Sequence, residues 1–277
     1  MTRDEFIQEK LLEPNTYSSG YVAFLDILGF KEICRNKSCE EIKALFDDIQ
    51  MLKYDYCNYF GALLVPQNVV DNVKIKIVSD SIIVTVPDNE EGIVFMLWFC
   101  STLQNKMLNC GVILRGGISY GTYYVYDNTV FGPALVEAYE IESKKAIFPR
   151  ILLSEEIEHK LANKGFFRKK SVQDYIDNAS NKNHTGSTIA LMIKKDFDDA
   201  YFVHYFNPIQ NISLAQNAGR KNEIEDYINK NVEAYRDNER LLKKYEWLYR
   251  YYSEYAKDSI FSKFSNIKWK TEDNSNG

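Results

Sequence analysis

Two aspartates stand next to apolar segments in which an isolated ionised carboxylate would be costly. Asp26 follows the apolar run 21–25, and Asp80 lies between two runs rich in β-branched residues. A buried charge without a partner is strongly unfavourable, so each side chain is expected to meet a partner, most simply a cation. Ser79 and Asp80 form a short polar break that is typical of the tip of a tight hairpin. If this hairpin lies beside the Asp26 strand, both carboxylates are at one end of one sheet and can share metal ions.

Each aspartate also has an ordinary structural interpretation. Asp26 could cap the following helix, and Asp80 could be a simple turn residue. The pair, with apolar flanks in the right order, favours the metal interpretation, because carboxylates are the hard ligands that Mg²⁺ and Mn²⁺ prefer. Gly29, three residues after Asp26, has no Cβ atom and would let the backbone approach an anion closely.

Composition excludes several other classes of protein. The chain has 277 residues, 45% of them hydrophobic, and a formal net charge of -5, which suits one large globular domain with an appendage. It has no basic excess for nucleic acid, and its most apolar stretch, 93–100, is far shorter than the about 20 residues of a bilayer span. Residues 1–5 are too acidic to begin a secretory signal, and five cysteines without a C-x-x-C pair suit reduced thiols. We therefore expect a cytoplasmic protein that does not enter a membrane.

The aspartates must be positioned by an alternating series of strands and helices. After the Asp26 strand the pattern predicts, in order, a helix from the capping box Ser38-x-x-Glu41 to Phe60, the Asp80 hairpin, a helix 91–108, strands 112–120 and 122–126, a helix after Pro133, and a strand 149–153. The order β-α-β-β-α-β-α-β predicts an α+β fold with a ferredoxin-like core, in which helices pack on a mostly antiparallel sheet. In that core the first strand and the hairpin lie side by side.

The second half of the chain carries a weaker pattern. Residues 173–187 are polar and predict a loop, and segments 188–193 and 200–206 predict a late hairpin. Residues 221–264 are rich in aromatic side chains at helical spacing, which predicts a helical extension. We therefore divide the chain into a catalytic domain, 1–206, and a C-terminal helical extension, 207–277, whose last residues, 271–277, are expected to be disordered.

Several motifs resemble the catalytic domain of class III nucleotide cyclases over about residues 21–161. They are Phe24-x-Asp26-Ile27-x-Gly29-Phe30, the segment 76–80, Leu114-Arg115-Gly116-Gly117-Ile118-Ser119-Tyr120-Gly121, a helix led by Gly132, and Arg150-Ile151-x-x-Ser154. Within that superfamily, the segments 130–139, 148–151 and 244–248 are most similar to the bacterial Pycsar pyrimidine cyclases. The resemblance implies that the product is cyclic UMP or cyclic CMP, made in antiphage defence.

The resemblance also implies a set of site residues. Asp26 and Asp80 would hold two Mg²⁺ or Mn²⁺ ions, with the backbone carbonyl of Ile27 as a further ligand. In this reaction the ribose 3′ oxygen attacks the α-phosphorus while pyrophosphate leaves, and two metal ions stabilise both oxygens. The β and γ phosphates would lie on the backbone amides of Leu28, Gly29 and Phe30.

Base recognition departs from that of the purine cyclases. By resemblance Lys76 faces the edge of the base, although a solvated strand lysine is an equally good interpretation. The acid that selects a purine would fall near Thr129, and threonine does not bind adenine as a carboxylate does, which favours a different base. Three tyrosines are candidate partners for a small base, although aromatic side chains more often pack in a core: Tyr54, Tyr56 and Tyr59.

The residues that stabilise the transition state in class III cyclases are also replaced in this chain. The asparagine and arginine that class III enzymes carry after the glycine align here with Val136 and Glu140, so another cation has to supply positive charge. Arg150 is our candidate catalytic residue. Three further cations are alternatives, and each of the four could instead belong to a surface ion pair: Arg115, Lys144 and Lys145.

The combined hypothesis is a metal-dependent pyrimidine nucleotide cyclase, with UTP preferred over CTP. The resemblance implies a head-to-tail homodimer with composite active sites and a separate effector that binds the product. A catalytically silent cyclase-fold module that binds a nucleotide and regulates a partner is the main alternative. A polymerase-like palm is a third, and it lacks an obvious nucleic-acid-binding surface in the sequence.

Overall fold

The computed structural model describes residues 2–3, 11, 13–60, 67–163, 185–206 and 219–257. The chain divides into two compact units, Met1–Tyr205 and Phe206–Gly277. Among the described residues, no helix is both long enough and apolar enough to cross a membrane.

The first unit is built on one sheet, with eight strands in the described part of the chain. They are β1 (Ser18–Leu28), β2 (Lys74–Val78), β3 (Ser81–Pro87), β4 (Ile113–Tyr126), β5 (Thr129–Phe131), β6 (Ile151–Leu153), β7 (Ile193–Lys195) and β8 (Tyr201–Val203). Their order is β2-β3-β1-β4-β6-β8-β7, and β5 pairs with β4 outside this path. The pair β4 and β6 is parallel, whereas the other pairs are antiparallel. The predicted α+β class with a mostly antiparallel sheet is confirmed.

Helices connect and cover these strands. In the first unit they are α1 (Phe30–Asn36), α2 (Cys39–Phe60), α3 (Gln67–Asn72), α4 (Glu90–Asn109), α5 (Pro133–Glu140), α6 (Glu155–Asn163) and α7 (Thr185–Met192). The predicted capping box at the start of α2 is present: the Glu41 amide donates to Ser38 Oγ and the Ser38 amide donates to Glu41 Oε2, at 3.2 and 2.8 Å. After α5 the chain continues through one π-helical turn, Ile141–Lys145.

Strand β1 is central to the sheet and is paired along both sides. Asp26 lies opposite Ser81 of β3 and opposite Arg115 of β4. Side chains alternate along this strand, so that Leu25 and Ile27 are buried while Asp26 is partly exposed. The predicted adjacency of the first strand and the hairpin is therefore present in the structure.

Helix α5 packs on the sheet face that also carries Asp26. Val22 of β1 forms a buried cluster with Ala134 and Ala138 of α5, and Phe24 packs against it. Because alternate residues of a strand share one face, Asp26 is on the same face as Val22 and Phe24. The π-helical turn that follows α5 is thus brought toward the end of β1.

One predicted strand is wrong. Segment 188–193 was expected to be extended, but Thr185–Met192 forms α7 and only Ile193 joins β7. A short apolar run such as 189–192 fits a buried strand and a buried helix equally well, so periodicity does not separate them. The late hairpin itself exists, with Ile193 opposite Val203. Of the loop predicted at 173–187, residues 173–184 lie outside the described part of the chain and 185–187 are helical.

The described part of the second unit consists of two helices, α8 (Gly219–Ala234) and α9 (Glu239–Lys257). Ile228 and Leu248 are fully buried, and the rings of Tyr235 and Tyr245 stack with centroids 5.4 Å apart. Most of both helices lies within 221–264, where the sequence predicts helical structure, and the division of the chain into a catalytic domain and a helical extension stays a prediction. The tail predicted to be disordered, 271–277, lies outside the described residues, and the catalytic role of 1–206 stays a prediction.

Candidate active site

The backbone brings Asp26 and Asp80 to neighbouring positions where β1 ends. Val78 pairs with Ser81, so Ser79 and Asp80 are the two turn residues between β2 and β3. The turn is tight, with Ser79 at a φ of 57°. The Ile27 amide donates to the Asp80 carbonyl oxygen at 2.9 Å, which holds this turn against the end of β1.

The donor set at this edge fits a divalent cation that binds together with a phosphate. Among the described residues, no group of three or more His, Cys, Asp and Glu side chains is placed to hold a metal. Mg²⁺ commonly binds through one or two carboxylates with substrate phosphates and water, so Asp26 and Asp80 are a sufficient protein contribution. The carbonyl of a strand residue points to the same side as its amide, which puts the Ile27 carbonyl on the Asp80 side of β1. The Asp26 side chain is 20% exposed and therefore open to such a ligand.

Gly29 leaves open space at the point where β1 passes into α1. Its φ of 79° and ψ of 16° are left-handed, a conformation that glycine adopts without strain. A Cβ atom built on Gly29 would meet nothing within 4 Å. Leu28 still pairs with Ile113 of β4, and Phe30 begins α1. Because the first amides of a helix have no partners within it, this exposed turn suits an anion.

Helix α1 itself is weakly anchored. None of its residues is buried. The Phe30 ring stacks on Phe46 of α2 with centroids 5.8 Å apart.

Arg115 is the cation that the structure places against Asp26. Its Nε lies 3.1 Å from Asp26 Oδ2, its Nη2 lies 2.6 Å from Glu142 Oε1, and its Nη1 donates to the Ala146 carbonyl at 3.3 Å. The arginine side chain is 21% exposed and that of Glu142 only 5%. A guanidinium is thus held between one partly exposed carboxylate and one buried carboxylate.

Arg150 pairs with carboxylates other than those around Arg115. Its side chain is 1% exposed, and it pairs with Asp196 and Asp198 in the turn between β7 and β8. The hydrogen bonds from Arg150 hold the pKa of the Asp198 carboxyl below its ordinary value. The structure shows a buried ion-pair network here, and the catalytic role of Arg150 stays a prediction.

The two lysine alternatives are in exposed ion pairs. Lys144 Nζ lies 2.7 Å from Glu140, and Lys145 Nζ lies 3.9 Å from Glu155. Glu140 is therefore engaged with a neighbour on its own helical segment.

The candidate base-binding residues lie on three different elements, β2, β5 and α2. Lys76 lies on β2 opposite Ile83 and is half-buried, while Thr129 is exposed at the start of β5. Tyr54 is 52% exposed on α2, with Lys53 Nζ 4.9 Å from its ring centroid. Two further candidates belong to α2, and the structure does not describe their side chains: Tyr56 and Tyr59.

Glu142 is a site residue that the sequence did not indicate. It stands in Ile141-Glu142-Ser143-Lys144-Lys145, which has the composition of an exposed helix end. Its burial depends on Gly117 of β4, because a Cβ atom there would lie 2.6 Å from the Ala138 carbonyl oxygen and from Ile141 Cβ. Only a residue without a side chain lets α5 and the π-helical turn approach the sheet this closely.

Gly117→Ala is therefore expected to push α5 and the π-helical turn away from β4. Forced overpacking of this kind costs about 1–3 kcal/mol of unfolding free energy, which urea denaturation followed by circular dichroism would measure. Thr122→Ala is the control, since Thr122 is exposed on the same strand and should change stability by less than about 0.5 kcal/mol. Equal stability of the Gly117→Ala and wild-type proteins would contradict the close approach.

Comparison with solved structures finds adenylyl and guanylyl cyclase domains. The adenylyl cyclase CyaB from P. aeruginosa is 19% identical, with 53% of this chain and 82% of that chain covered and a TM-score of 0.38. The guanylate cyclase domain of RhGC from Catenaria anguillulae, in complex with GTP, is 17% identical, with 53% and 84% covered and a TM-score of 0.41. The catalytic core of a rhodopsin-guanylyl cyclase with converted specificity, in complex with ATPαS, is 21% identical, with 52% and 81% covered and a TM-score of 0.39. No family model and no curated protein matches the chain. At these identities and TM-scores the activities of those domains do not transfer to this chain.

Proposed function

We propose that this protein is a metal-dependent nucleotide cyclase. The observation that carries the proposal is the hydrogen bond from Ile27 to Asp80, which places two carboxylate-bearing residues at one strand end beside the open turn at Gly29. The motifs that resemble class III cyclases include the same residues. The reaction would join the ribose 3′ oxygen to the α-phosphorus and release pyrophosphate.

Each residue at this edge has a defined task in the proposal. Asp26, Asp80 and the Ile27 carbonyl hold two Mg²⁺ or Mn²⁺ ions, and these ions, when bound, supply positive charge to the attacking and leaving oxygens. The backbone around Gly29 binds the β and γ phosphates and so orients the α-phosphorus. Arg115 orients the Asp26 carboxylate, with its Nε 3.1 Å from Asp26 Oδ2.

The proposed substrate is a pyrimidine nucleoside triphosphate, with UTP preferred over CTP. Thr129 stands where purine cyclases have an acid, and it is short and uncharged. Lys76, half-buried on β2, is the residue we assign to the edge of the base. We place the product, 3′,5′-cyclic UMP or CMP, in cytoplasmic antiphage signalling through a separate effector.

The proposed active form is a head-to-tail homodimer with composite sites. Helix α5 carries two apolar side chains that are exposed in the monomer: Val136 is 58% exposed and Tyr139 is 51% exposed. Tyr139 lies at the sheet face that carries Asp26, since its ring meets Phe24 with centroids 5.4 Å apart. A second copy bound here could also supply the polar and positively charged side chains that the active site lacks at positions 136 and 140, where this chain has Val136 and Glu140.

The test is product identification with all four ribonucleoside triphosphates. Purified protein with Mn²⁺ or Mg²⁺ is expected to convert UTP, or CTP, to a 3′,5′-cyclic monophosphate and pyrophosphate, identified by liquid chromatography and mass spectrometry. Turnover of ATP or GTP alone would contradict the pyrimidine assignment and leave the cyclase proposal standing.

A catalytically silent nucleotide-binding module is the second candidate. It is favoured by the ion pair between Arg115 and Asp26, which occupies one oxygen of a proposed metal ligand, and by Val136 and Glu140 at the positions of catalytic groups. Tight binding of a triphosphate without any pyrophosphate release would support this candidate against the enzyme.

A further inference from the structure

We infer that Glu142 is a positioning residue that acts through Arg115 and sets the affinity of the Asp26 edge for a divalent cation. This inference rests on the proposed metal site and adds a residue that does not itself bind the metal. Glu142 is separated from Asp26 by 116 positions in the chain, and the two carboxylates meet through one guanidinium.

The contacts of Arg115 with Glu142 and Ala146 fix the orientation of its guanidinium. A guanidinium presents its N–H donors in a rigid planar fork, so fixing two of its nitrogen atoms fixes the third. One terminal nitrogen of Arg115 donates a hydrogen bond to the Ala146 carbonyl at 3.3 Å, and the other forms an ion pair with the Glu142 carboxylate at 2.6 Å. The remaining Nε then meets one oxygen of Asp26 at 3.1 Å and holds that carboxylate in place. The second Asp26 oxygen keeps its lone pairs for another ligand.

The negative charge of Glu142 also affects cation binding at Asp26. An arginine next to a metal ligand repels a cation and competes for the carboxylate. Glu142 offsets this charge, so that Asp26, Arg115 and Glu142 together carry one net negative charge. Without the buried glutamate, Arg115 would cancel the charge of Asp26 and leave Asp80 as the remaining negative group of the proposed pair.

The burial of Glu142 distinguishes it from its neighbours on the same segment. Its side chain is 5% exposed, whereas that of Glu140 is 52% exposed and pairs with Lys144 along the helix. Burying a carboxylate is costly unless it is paired, and removing its partner leaves an uncompensated charge. Gly117 creates the space for this arrangement, because a Cβ atom there would clash with α5 and the π-helical turn.

The experiment is a Mn²⁺ titration of the full chain without nucleotide, with free Mn²⁺ measured by electron paramagnetic resonance. Glu142→Gln is expected to weaken Mn²⁺ binding about 10- to 100-fold, the usual effect of losing a group that orients a metal ligand. Glu140→Gln is the matched control, with the same change in charge two residues away, and should leave the affinity unchanged. Asp26→Asn shows how much of the measured Mn²⁺ binding belongs to the proposed site, because this variant should lose most of that binding.

Two further variants separate positioning from a general loss of structure. In an Arg115→Met background, adding Glu142→Gln should have little further effect on Mn²⁺ affinity, because Glu142 acts through the arginine. Glu142→Asp keeps the charge and should bind Mn²⁺ more tightly than Glu142→Gln. Thermal unfolding of each variant checks that the affinities compare folded proteins. If Glu142→Gln does not fold, Glu142→Asp carries the test: its shorter side chain should hold Arg115 less well, so this variant should bind Mn²⁺ more weakly than the wild type, and equal affinity would contradict the role of Glu142.

The possible outcomes separate the inference from the proposed function. If Asp26→Asn loses Mn²⁺ binding while Glu142→Gln binds like the wild type, the role of Glu142 is wrong and the metal site stands. The same holds if Glu142→Gln weakens binding equally with and without Arg115. If the wild type binds no Mn²⁺, or binds it no better than Asp26→Asn does, both the metal site and the role of Glu142 are wrong.

Discussion

Asp26→Ala and Asp80→Ala are each expected to abolish pyrophosphate release while leaving the protein folded. A metal ion contributes several kcal/mol of transition-state stabilisation, and about 4 kcal/mol corresponds to roughly a thousandfold in rate. Folding should survive because neither side chain belongs to the apolar core. In Asp26→Ala, Arg115 also keeps its ion pair with Glu142. The measurements are a coupled pyrophosphate assay with UTP and CTP and a thermal unfolding curve for each variant.

Asp88→Ala is the matched control for this prediction. Asp80 directly precedes β3 and Asp88 directly follows it, so both are aspartates at the ends of one strand. Asp88 pairs with Lys160 at 3.4 Å and accepts a hydrogen bond from the Tyr120 hydroxyl, away from the proposed metal ligands. The control should keep activity near the wild-type rate. Full activity of either Asp26→Ala or Asp80→Ala would contradict the proposed metal site.

Arg150→Met is expected to have the largest effect on stability. The arginine is among the largest fully buried side chains and holds two aspartates of the β7–β8 turn. Removing one partner of a buried ion pair leaves uncompensated charge and costs about 3–5 kcal/mol. Because Asp198 is partly exposed, at 39%, the lower end of this range is expected. Chemical denaturation would measure the loss of unfolding free energy.

Two comparisons make the Arg150 result specific. Arg236→Met removes an exposed arginine whose ion pair with Glu233 has both side chains 68% exposed, and it should cost less than about 0.5 kcal/mol. Adding Asp196→Asn and Asp198→Asn to Arg150→Met removes the uncompensated charges and should restore much of the stability. A stable Arg150→Met protein with a large loss of kcat would instead support the catalytic role predicted from the sequence.

The residues of the proposed metal site were accessible from the sequence because each depends on local patterns. Asp26 lies two residues before the end of an apolar strand, Asp80 interrupts a hairpin, and the order of elements puts the two strands together. Tertiary contacts determine the rest. Glu142 stands in a stretch with surface composition, and only the close approach at Gly117 buries it.

The misassigned helix α7 and the surroundings of Arg150 have a related explanation. A four-residue apolar run has too few positions to distinguish a period of 2 from one of 3.6. From the sequence, Arg150 fits a catalytic role or a surface ion pair, whereas the structure buries it against a turn 46 residues later. Ion pairs between segments so distant in sequence leave no spacing signal.

The contrast between the central strand β1 and the weakly anchored helix α1 has a consequence for local stability. Backbone hydrogen bonds on both sides of β1 open only with the sheet, so amides near Asp26 should exchange with solvent as slowly as global unfolding allows. Helix α1 has no buried residue that opening would expose to solvent. Its opening therefore requires far less free energy than the opening of β1. The proposed phosphate-binding turn therefore joins a slowly exchanging strand to a rapidly exchanging helix, and a triphosphate can order that helix without displacing the carboxylates.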